Sequence, residues 1–203
     1  MRRENLEQSA EIEWDQLLGI RTSGRDDSQA GVNYYPYEST PYLVLSRLAQ
    51  SGLIRKQNTL LDYGCGKGRV GFFLSYQTRC KSIGIECDER LYQSALRNHE
   101  GAVSRNRVRL LLARAEDYLP PEEVDTCFFF HPFSVNILEQ VIGQIERSLE
   151  MHPRQMRLMF YYPPKEYFSL LESKTLFRQQ EIIDCRGLSG DDEREMIAVF
   201  RND

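Results

Sequence analysis

A glycine-rich run carries the strongest chemical signal in this chain. Residues 60–69 read LLDYGCGKGR, in which Gly64, Gly66 and Gly68 follow the acidic Asp62. Glycines allow the backbone to turn tightly and let a ligand approach the main chain without a clash against a Cβ atom. The helix expected after the run would present free N–H groups and a partial positive charge. The run therefore predicts a ligand-binding loop between a strand and a helix.

The spacing of these glycines discriminates among ligands. A dinucleotide-binding loop has the pattern G-x-G-x-x-G, whereas this loop is G-x-G-x-G, with Arg69 where the third glycine would stand. The phosphate-binding pattern G-x-x-x-x-G-K-[ST] does not occur in the sequence. Asp62 would repel a pyrophosphate, but it suits a ligand with an ammonium group. The methionine end of S-adenosylmethionine is such a ligand.

A second acidic residue stands at the spacing that a βαβ unit requires. Glu86 ends a predicted strand, 22 residues after Gly64. In a βαβ unit this position lies at the mouth of the same crevice, where a carboxylate can accept hydrogen bonds from both hydroxyls of a ribose. The glycine loop and the run IGIECD at 83–88 together resemble the first two motifs of class I S-adenosylmethionine-dependent methyltransferases. The resemblance implies that the cofactor is bound by Asp62, Tyr63, Gly64, Cys65, Gly66, Gly68, Glu86 and Cys87.

The loop after the third predicted strand stands where this family contacts adenine. Residues 113–117 read ARAED, and the resemblance implies a main-chain contact with adenine at Ala115 or Glu116. The commoner form of the motif has an Asp where Arg114 stands. We therefore expect Glu116 or Asp117 to supply any side-chain contact with the adenine amino group.

The end of the fourth predicted strand, FFFHPFS at 128–134, corresponds to the place that faces the transferable methyl group. Amino-methylating relatives carry an Asn or Asp, two prolines and an aromatic residue here. This chain has His131, one proline at Pro132, and Phe133. The resemblance implies that His131 contacts the cofactor and that Pro132 and Phe133 contact the substrate. His131 is also a candidate general base because its ordinary pKa lies near neutrality; the alternative is a histidine that only hydrogen-bonds within its loop or to the cofactor.

A tyrosine-rich segment, residues 34–42, precedes the first strand. In this fold such segments often close over the cofactor, which makes Tyr35 and Tyr37 candidate substrate contacts. The alternative is that these tyrosines pack the first helix of the domain onto the sheet. We divide the chain into an N-terminal arm or lid, residues 1–40, and a methyltransferase domain, residues 41–203.

Alternating strands and helices must position these residues. The predicted strands of the alternating part are 59–63, 82–86, 108–112, 124–130 and 157–161. The helices are predicted to begin at Thr40–Pro41, near Val70, and at Asp88, Ser134 and Pro164. Two further strand candidates, 180–185 and 195–201, leave no room for a helix between them and should form an antiparallel hairpin. The prediction is an α/β fold with a doubly wound, mostly parallel seven-stranded sheet, helices on both faces and a C-terminal antiparallel hairpin strand.

Composition restricts the classes of function further. The 203 residues suffice for one substantial domain, and 41% apolar with 28% charged residues is ordinary for a globular protein. No apolar run approaches the roughly 18–20 residues that span a bilayer, and the N-terminus carries no signal-peptide core. The five cysteines form no C-x-x-C pair, which argues against a disulfide framework or a bound metal. We expect a cytoplasmic protein with no membrane partner and no metal.

Three functions remain in competition. The first is an enzyme that methylates a small molecule or a protein side chain, favoured by the net charge of −4. The second is an RNA or DNA methyltransferase, which would need a basic surface near His131; the candidate arginines are Arg105, Arg107, Arg109, Arg154 and Arg157. The third is a non-catalytic module that binds the cofactor or a partner protein. A nicotinamide-dependent oxidoreductase is disfavoured by the glycine spacing.

Overall fold

The computed structural model describes residues 2–23, 38–130, 132–190 and 192–202, with side chains from residue 9 onwards. The helices in these ranges are α1 (Arg2–Leu18), α2 (Tyr42–Gln50), α3 (Arg69–Thr78), α4 (Glu89–Gly101), α5 (Val135–Met151) and α6 (Lys165–Lys174). The strands are β1 (Thr59–Tyr63), β2 (Lys81–Glu86), β3 (Val108–Leu112), β4 (Thr126–Phe130), β5 (Arg157–Tyr161), β6 (Phe177–Asp184) and β7 (Met196–Asn202). Two short 3-10 helices lie at Arg105–Arg107 and Ala115–Asp117.

The strands form one seven-stranded sheet in the order β3-β2-β1-β4-β5-β7-β6. Pairs among the first five strands are parallel, and β7 is antiparallel to both β5 and β6. This confirms the predicted sheet and its C-terminal hairpin. The chain winds outward from β1 to β3 and then returns to place β4 on the other side of β1. Such a change of direction opens a crevice at the carboxyl ends of the two central strands.

Both faces of the sheet are covered, as the alternation of side chains along each strand requires. One face, which includes Leu60 and Phe128, packs against α1, α2 and α3. The opposite face, which includes Leu61 and Phe129, packs against α5 and α6. The helix α4 contacts the outer strands β2 and β3.

The predicted start of α2 is wrong by one residue. Pro41, rather than Thr40, occupies the N-cap position, and no side chain of its own caps the helix. The first N–H of the helix, that of Tyr42, donates instead to Glu11 Oε1 of α1 at 2.8 Å. By contrast, the predicted cap at Asp88 is confirmed, because its carboxylate accepts hydrogen bonds from the N–H groups of Arg90 and Leu91.

The ends of several strands also differ from the prediction. The strand β4 begins at Thr126 rather than at residue 124, and β6 begins at Phe177, three residues before the predicted start. An irregularity between Gln179 and Glu181 interrupts the β6–β7 register, which hides the period of two that would have marked the strand's full length. Within the described ranges, no helix combines the length and the apolar character needed to cross a bilayer.

Candidate functional site

The glycine run forms a tight turn between β1 and α3. The N–H groups of Gly64 and Cys65 both donate to the carbonyl of Ile85, at 3.0 and 2.9 Å, and the N–H of Gly68 donates to the carbonyl of Cys65 at 2.8 Å. The φ angles of Gly64, Gly66 and Gly68 are 71°, 54° and 86°. Residues with a Cβ atom adopt such angles only with strain, so the turn requires glycine at these positions.

Glu86 at the end of β2 holds this loop in place. Its Oε2 accepts the N–H of Gly66 at 2.8 Å, and its Oε1 accepts the N–H groups of Cys87 and Asp88 at 2.8 and 2.9 Å. Burial of the carboxyl raises its pKa, although these three donors act in the opposite direction. Glu86 therefore links the glycine loop to the start of α4.

Asp62 is the residue of the site whose bonding is incomplete. It is 3% exposed, and within the described residues its Oδ2 has no hydrogen-bond partner. Burial, together with the nearby Glu86, raises the pKa of Asp62 to about 8. An unpaired oxygen in a buried carboxyl is energetically costly. A ligand ammonium group would satisfy it, so the residues present fit the methionine end of S-adenosylmethionine.

Two close approaches complete the crevice. A Cβ atom on Gly64 would lie 2.9 Å from the Cβ of Pro132, so the tip beyond β4 packs directly against the glycine loop. A Cβ atom on Gly84 in β2 would lie 2.8 Å from the Sγ of Cys65, so this glycine makes room for the buried thiol. The sheet thus brings the predicted residues of β1, β2 and the β4 tip together at one edge.

The rings of Tyr63 and Phe133 belong to the hydrophobic core. Tyr63 is 1% exposed and stacks on Phe129 with ring centroids 4.8 Å apart. Phe133 is 2% exposed, and its ring meets Phe129 edge-on at 6.2 Å. Its carbonyl accepts a hydrogen bond from the hydroxyl of Tyr167. Tyr63 would therefore contact a cofactor through its main chain, and the substrate contact of Phe133 stays a prediction.

The loop expected to meet adenine is a 3-10 turn that contains Ala115 and Glu116, both buried. The guanidinium of Arg114 donates to Glu116 Oε1, and its Nε lies 3.7 Å from Asp117 Oδ2. Arg114 therefore neutralises the two carboxylates that were expected to replace the missing Asp. The main-chain N–H groups of this turn are the more suitable contacts for adenine.

Other predicted residues are placed at the rim or lie outside the described part of the chain. Cys87 is exposed directly after Glu86, and burial of its sulfur raises its pKa to about 11. His131, Tyr35 and Tyr37 lie outside the described residues, so the roles predicted for them stay predictions. Within the described ranges, no group of three His, Cys, Asp or Glu side chains is arranged to hold a metal ion.

A cleft of about 570 Å³ lies at the carboxyl ends of β4 and β5. It is lined by the first residues of α5 and α6 and by the segment before β7: Ser134, Val135, Pro164, Lys165, Glu166, Tyr167 and Arg194. Arg194 is held by Tyr162, whose ring lies 4.2 Å below the guanidinium carbon. Sequence reasoning missed this cleft, because its residues come from three separate loops without a shared motif.

The sequence analysis also missed the role of Arg69. In the sequence, Arg69 is notable only because it stands where a dinucleotide-binding loop has its third glycine. In the structure, this residue is 2% exposed, and its side chain reaches Glu11 of α1. A charged residue directly after a glycine loop was the available signal, because an arginine at a buried helix start requires acidic partners.

Comparisons with known proteins agree with this geometry. The family model of a methyltransferase domain matches residues 60–152, which run from β1 to the end of α5. Among curated proteins, no sequence matches this chain.

Several solved structures share the fold. An RNA methyltransferase from Salinibacter ruber, in complex with S-adenosyl-L-homocysteine, is 16% identical with a TM-score of 0.55, over 81% of this chain and 92% of that one. A TehB-like S-adenosylmethionine-dependent methyltransferase from Corynebacterium glutamicum is 18% identical with a TM-score of 0.56, over 79% and 88%. The mitomycin 7-O-methyltransferase MmcR is 13% identical with a TM-score of 0.62, over 79% of this chain and 53% of that one.

The sheet order, the glycine loop with its partly unsatisfied acidic residue and the matching domain model lead to one conclusion. Residues 60–152 match the model of a methyltransferase domain, and the chain has the fold of class I S-adenosylmethionine-dependent methyltransferases.

Proposed function

We propose that this methyltransferase acts on a small molecule or a protein side chain that carries an acidic group and enters the cleft beside the β4 tip. The cleft carries the proposal, because its volume of about 570 Å³ is that of a site for a small organic ligand. Lys165 and Arg194 bring positively charged groups to its wall, where Glu166 adds a negative charge and Asp192 pairs with Arg194 at 3.2 Å. A carboxylate or another anionic group on the acceptor would therefore bind at Lys165 and compete with Asp192 for the guanidinium of Arg194.

The cofactor is assigned to the opposite side of the β4 tip. In this proposal, Asp62 binds the ammonium group and Glu86 binds the ribose. The methionine part is surrounded by the main chain of Tyr63, Gly64, Cys65, Gly66 and Gly68. The adenine is bordered by Cys87, Ala115 and Glu116. When bound, S-adenosylmethionine supplies a sulfonium methyl group that is already strongly electrophilic. The protein contributes chiefly by holding the acceptor in line with this methyl group.

A nucleic-acid acceptor is the less favoured alternative. The candidate arginines stand at the amino ends of β3 and β5, whereas the crevice lies at the carboxyl ends. Arg154 is moreover engaged within the protein: its guanidinium donates to the carbonyls of Pro121, Val124, Ser148 and His152. The side chain of Arg109 pairs with Glu123 at 2.7 Å. The candidate arginines therefore do not supply the basic surface that a nucleic acid would need at the crevice.

A methyl-transfer assay with labelled S-adenosylmethionine tests the acceptor class. The labelled methyl group should appear in acidic small molecules, or in proteins at positions with acidic side chains, and not in total RNA. Lys165→Glu should reduce this labelling about tenfold, since a favourable charge becomes a repulsive one. Lys56→Glu is the matched control, because Lys56 is exposed in the turn before β1, away from the cleft. Labelling of RNA alone, or equal labelling by both variants, would contradict the proposal.

We also infer a reducing, cytoplasmic location. The five cysteines are all free, and four of them are buried in the fold. Burial raises the pKa of Cys65 and of Cys80, which keeps these thiols protonated and unreactive. Imaging of the protein fused to a fluorescent tag in intact cells tests this location, and recovery of the protein from an oxidising compartment would contradict it.

A further inference from the structure

Arg69 connects the glycine loop to parts of the chain far away in the sequence. It is the first residue of α3, directly after Gly68. Its Nε donates to Thr22 Oγ1 at 2.6 Å, and its Nη1 donates to the carbonyl of Thr40 at 3.1 Å. The same Nη1 pairs with Glu11 of α1. One guanidinium thus holds α1, the segment that follows α1 and the residue two positions before α2.

Asp15 of α1 extends this network. Its Oδ2 accepts the N–H of Thr22 at 2.7 Å, and its Oδ1 accepts the hydroxyls of Thr22 and Tyr42 at 2.7 and 2.5 Å. The Oδ1 also lies 3.9 Å from Arg69 Nη2. The ring of Tyr42 lies under the guanidinium, 4.2 Å from its carbon atom, and burial raises the pKa of this tyrosine far above its usual range. Arg69, Asp15, Thr22 and Tyr42 are therefore each held by at least two other members of the network.

A second set of contacts attaches the same N-terminal segment to the loop. Asn98 of α4 donates from its Nδ2 to the carbonyls of Lys67 and Arg21, at 2.9 and 3.2 Å, and its Oδ1 accepts the N–H of Arg21 at 2.8 Å. Lys67 Nζ donates to the carbonyl of Ser23 at 3.1 Å. Residues 19–23 consequently lie against the glycine loop rather than apart from it.

The energetics of this network make it act as a unit. A buried guanidinium is tolerated only where acceptors surround it. Nε and Nη1 of Arg69 are hydrogen-bonded, and Nη2 faces the carboxylate of Asp15 at 3.9 Å, so the network fixes the positions of its members. Removal of Arg69 would leave the carboxylates of Glu11 and Asp15 without their cation, which is costly above all for the buried Asp15. Without this cation, α1 and the start of α3 would shift, and the glycine loop would lose its fixed geometry.

We propose that Arg69 is a positioning residue that couples the glycine loop to α1 and residues 19–23, so that the N-terminal part of the chain sets the affinity for S-adenosylmethionine. This inference rests on the proposed assignment of the glycine loop to the cofactor. The N-terminal helix is then a supporting part of the cofactor site and not only an appended arm.

The test compares two arginines that are both engaged in several hydrogen bonds. Arg69→Met removes the coupling, whereas Arg154→Met removes an arginine that binds carbonyl groups near the C-terminal end of α5, at the opposite edge of the sheet. Both variants should lower the melting temperature. Calorimetric titration with S-adenosylhomocysteine should show an affinity about tenfold weaker for Arg69→Met and unchanged for Arg154→Met. Arg69→Lys should give an intermediate affinity, because lysine keeps the charge without the planar fork.

Two further measurements complete the test. If Arg69→Met does not fold, Thr22→Val removes the partner of Nε and should weaken S-adenosylhomocysteine binding in the same direction. Hydrogen exchange of the ligand-free protein should be faster for the amides of residues 64–68 in the Arg69 or Thr22 variant than in Arg154→Met. Equal affinity and equal exchange in these variants and the wild type would overturn the coupling. Failure of the wild type to bind S-adenosylhomocysteine would instead contradict the cofactor assignment, and the exchange comparison would still decide the coupling.

Discussion

Two buried carboxyl groups of the site have different tasks because their partners differ. Glu86 already accepts three main-chain N–H groups, so its first task is to hold the glycine loop. Within the described residues, Asp62 keeps an oxygen without a partner and is protonated up to about pH 8. A buried carboxyl with an unpaired oxygen is therefore a candidate ligand-binding group. In the proposed assignment, it binds the positively charged ammonium group of S-adenosylmethionine.

The raised pKa of Asp62 predicts a pH dependence whose sign follows from linkage. The unfolded chain loses this proton near the ordinary value of 3.8, whereas the folded protein keeps it until about pH 8. The contribution of this group to the stability of the ligand-free protein is therefore fully present below pH 3.8 and is lost as the pH rises to about 8. A bound ammonium group favours the carboxylate, so binding should release a proton at neutral pH.

Affinity for S-adenosylhomocysteine should accordingly rise with pH by up to about tenfold per unit below the pKa of Asp62, and then level off. Titration calorimetry between pH 6 and 9, in two buffers of different ionisation enthalpy, measures both the affinity and the released proton. The variant Asp62→Asn should bind weakly and show neither effect. A wild-type affinity that does not change with pH would contradict the role given to Asp62.

The site residues differ in how far the sequence predicts them. Asp62, Glu86 and the glycines can be predicted from the sequence, because a glycine turn and an acidic residue at a strand end are recognised from neighbouring residues. The network of Arg69 cannot be predicted in this way, since its partners Glu11 and Thr22 lie 58 and 47 residues away in the sequence. The core position of the Phe133 ring likewise depends on Phe129 of β4 and Tyr167 of α6, which only the folded chain brings together.

Among the elements, the loop between β1 and α3 tolerates substitution poorly. Gly64→Ala would place a methyl group 2.9 Å from the Cβ of Pro132 and force alanine into a φ of 71°. We expect a loss of roughly 1–3 kcal/mol in the free energy of unfolding. S-adenosylhomocysteine binding should also be strongly weakened, because the loop and the β4 tip would have to separate.

The control for this variant is Gly143→Ala in α5. No atom lies within 4 Å of the added methyl group, and alanine favours a helix over glycine by up to about 1 kcal/mol. Chemical denaturation should therefore show a neutral or stabilising change for Gly143→Ala, with unchanged ligand affinity. Equal stabilities and affinities for the two variants would disprove the steric account of the loop.

At the same scale, the periodic patterns predict the strands and their order along the chain well. The strands β1, β3 and β5 have the predicted bounds, because their apolar runs are bordered by turn residues. The start of α2 departs from the prediction, since its first N–H is capped by Glu11 from another helix rather than by a neighbouring side chain. The full length of β6 departs because most of its residues are exposed and an irregularity breaks its alternation.

At the scale of the whole molecule, the proposed assignment places the cofactor and the acceptor at different strands of the sheet. The cofactor would be bound by the loops after β1, β2 and β3, and the acceptor by the cleft at the ends of β4 and β5. Pro132, packed against Gly64, lies between these two places. In the proposed coupling, α1 supports the glycine loop through Arg69, which contacts Glu11, Thr22 and Thr40.

The most direct test of this account is a parallel calorimetric titration of the purified protein with S-adenosylmethionine, S-adenosylhomocysteine and NAD. The account predicts binding in about the micromolar range for the first two ligands and none for NAD, because Asp62 accepts an ammonium group and the G-x-G-x-G loop lacks the glycine spacing of a dinucleotide-binding loop. Binding of NAD alone, or of none of the three, would contradict it.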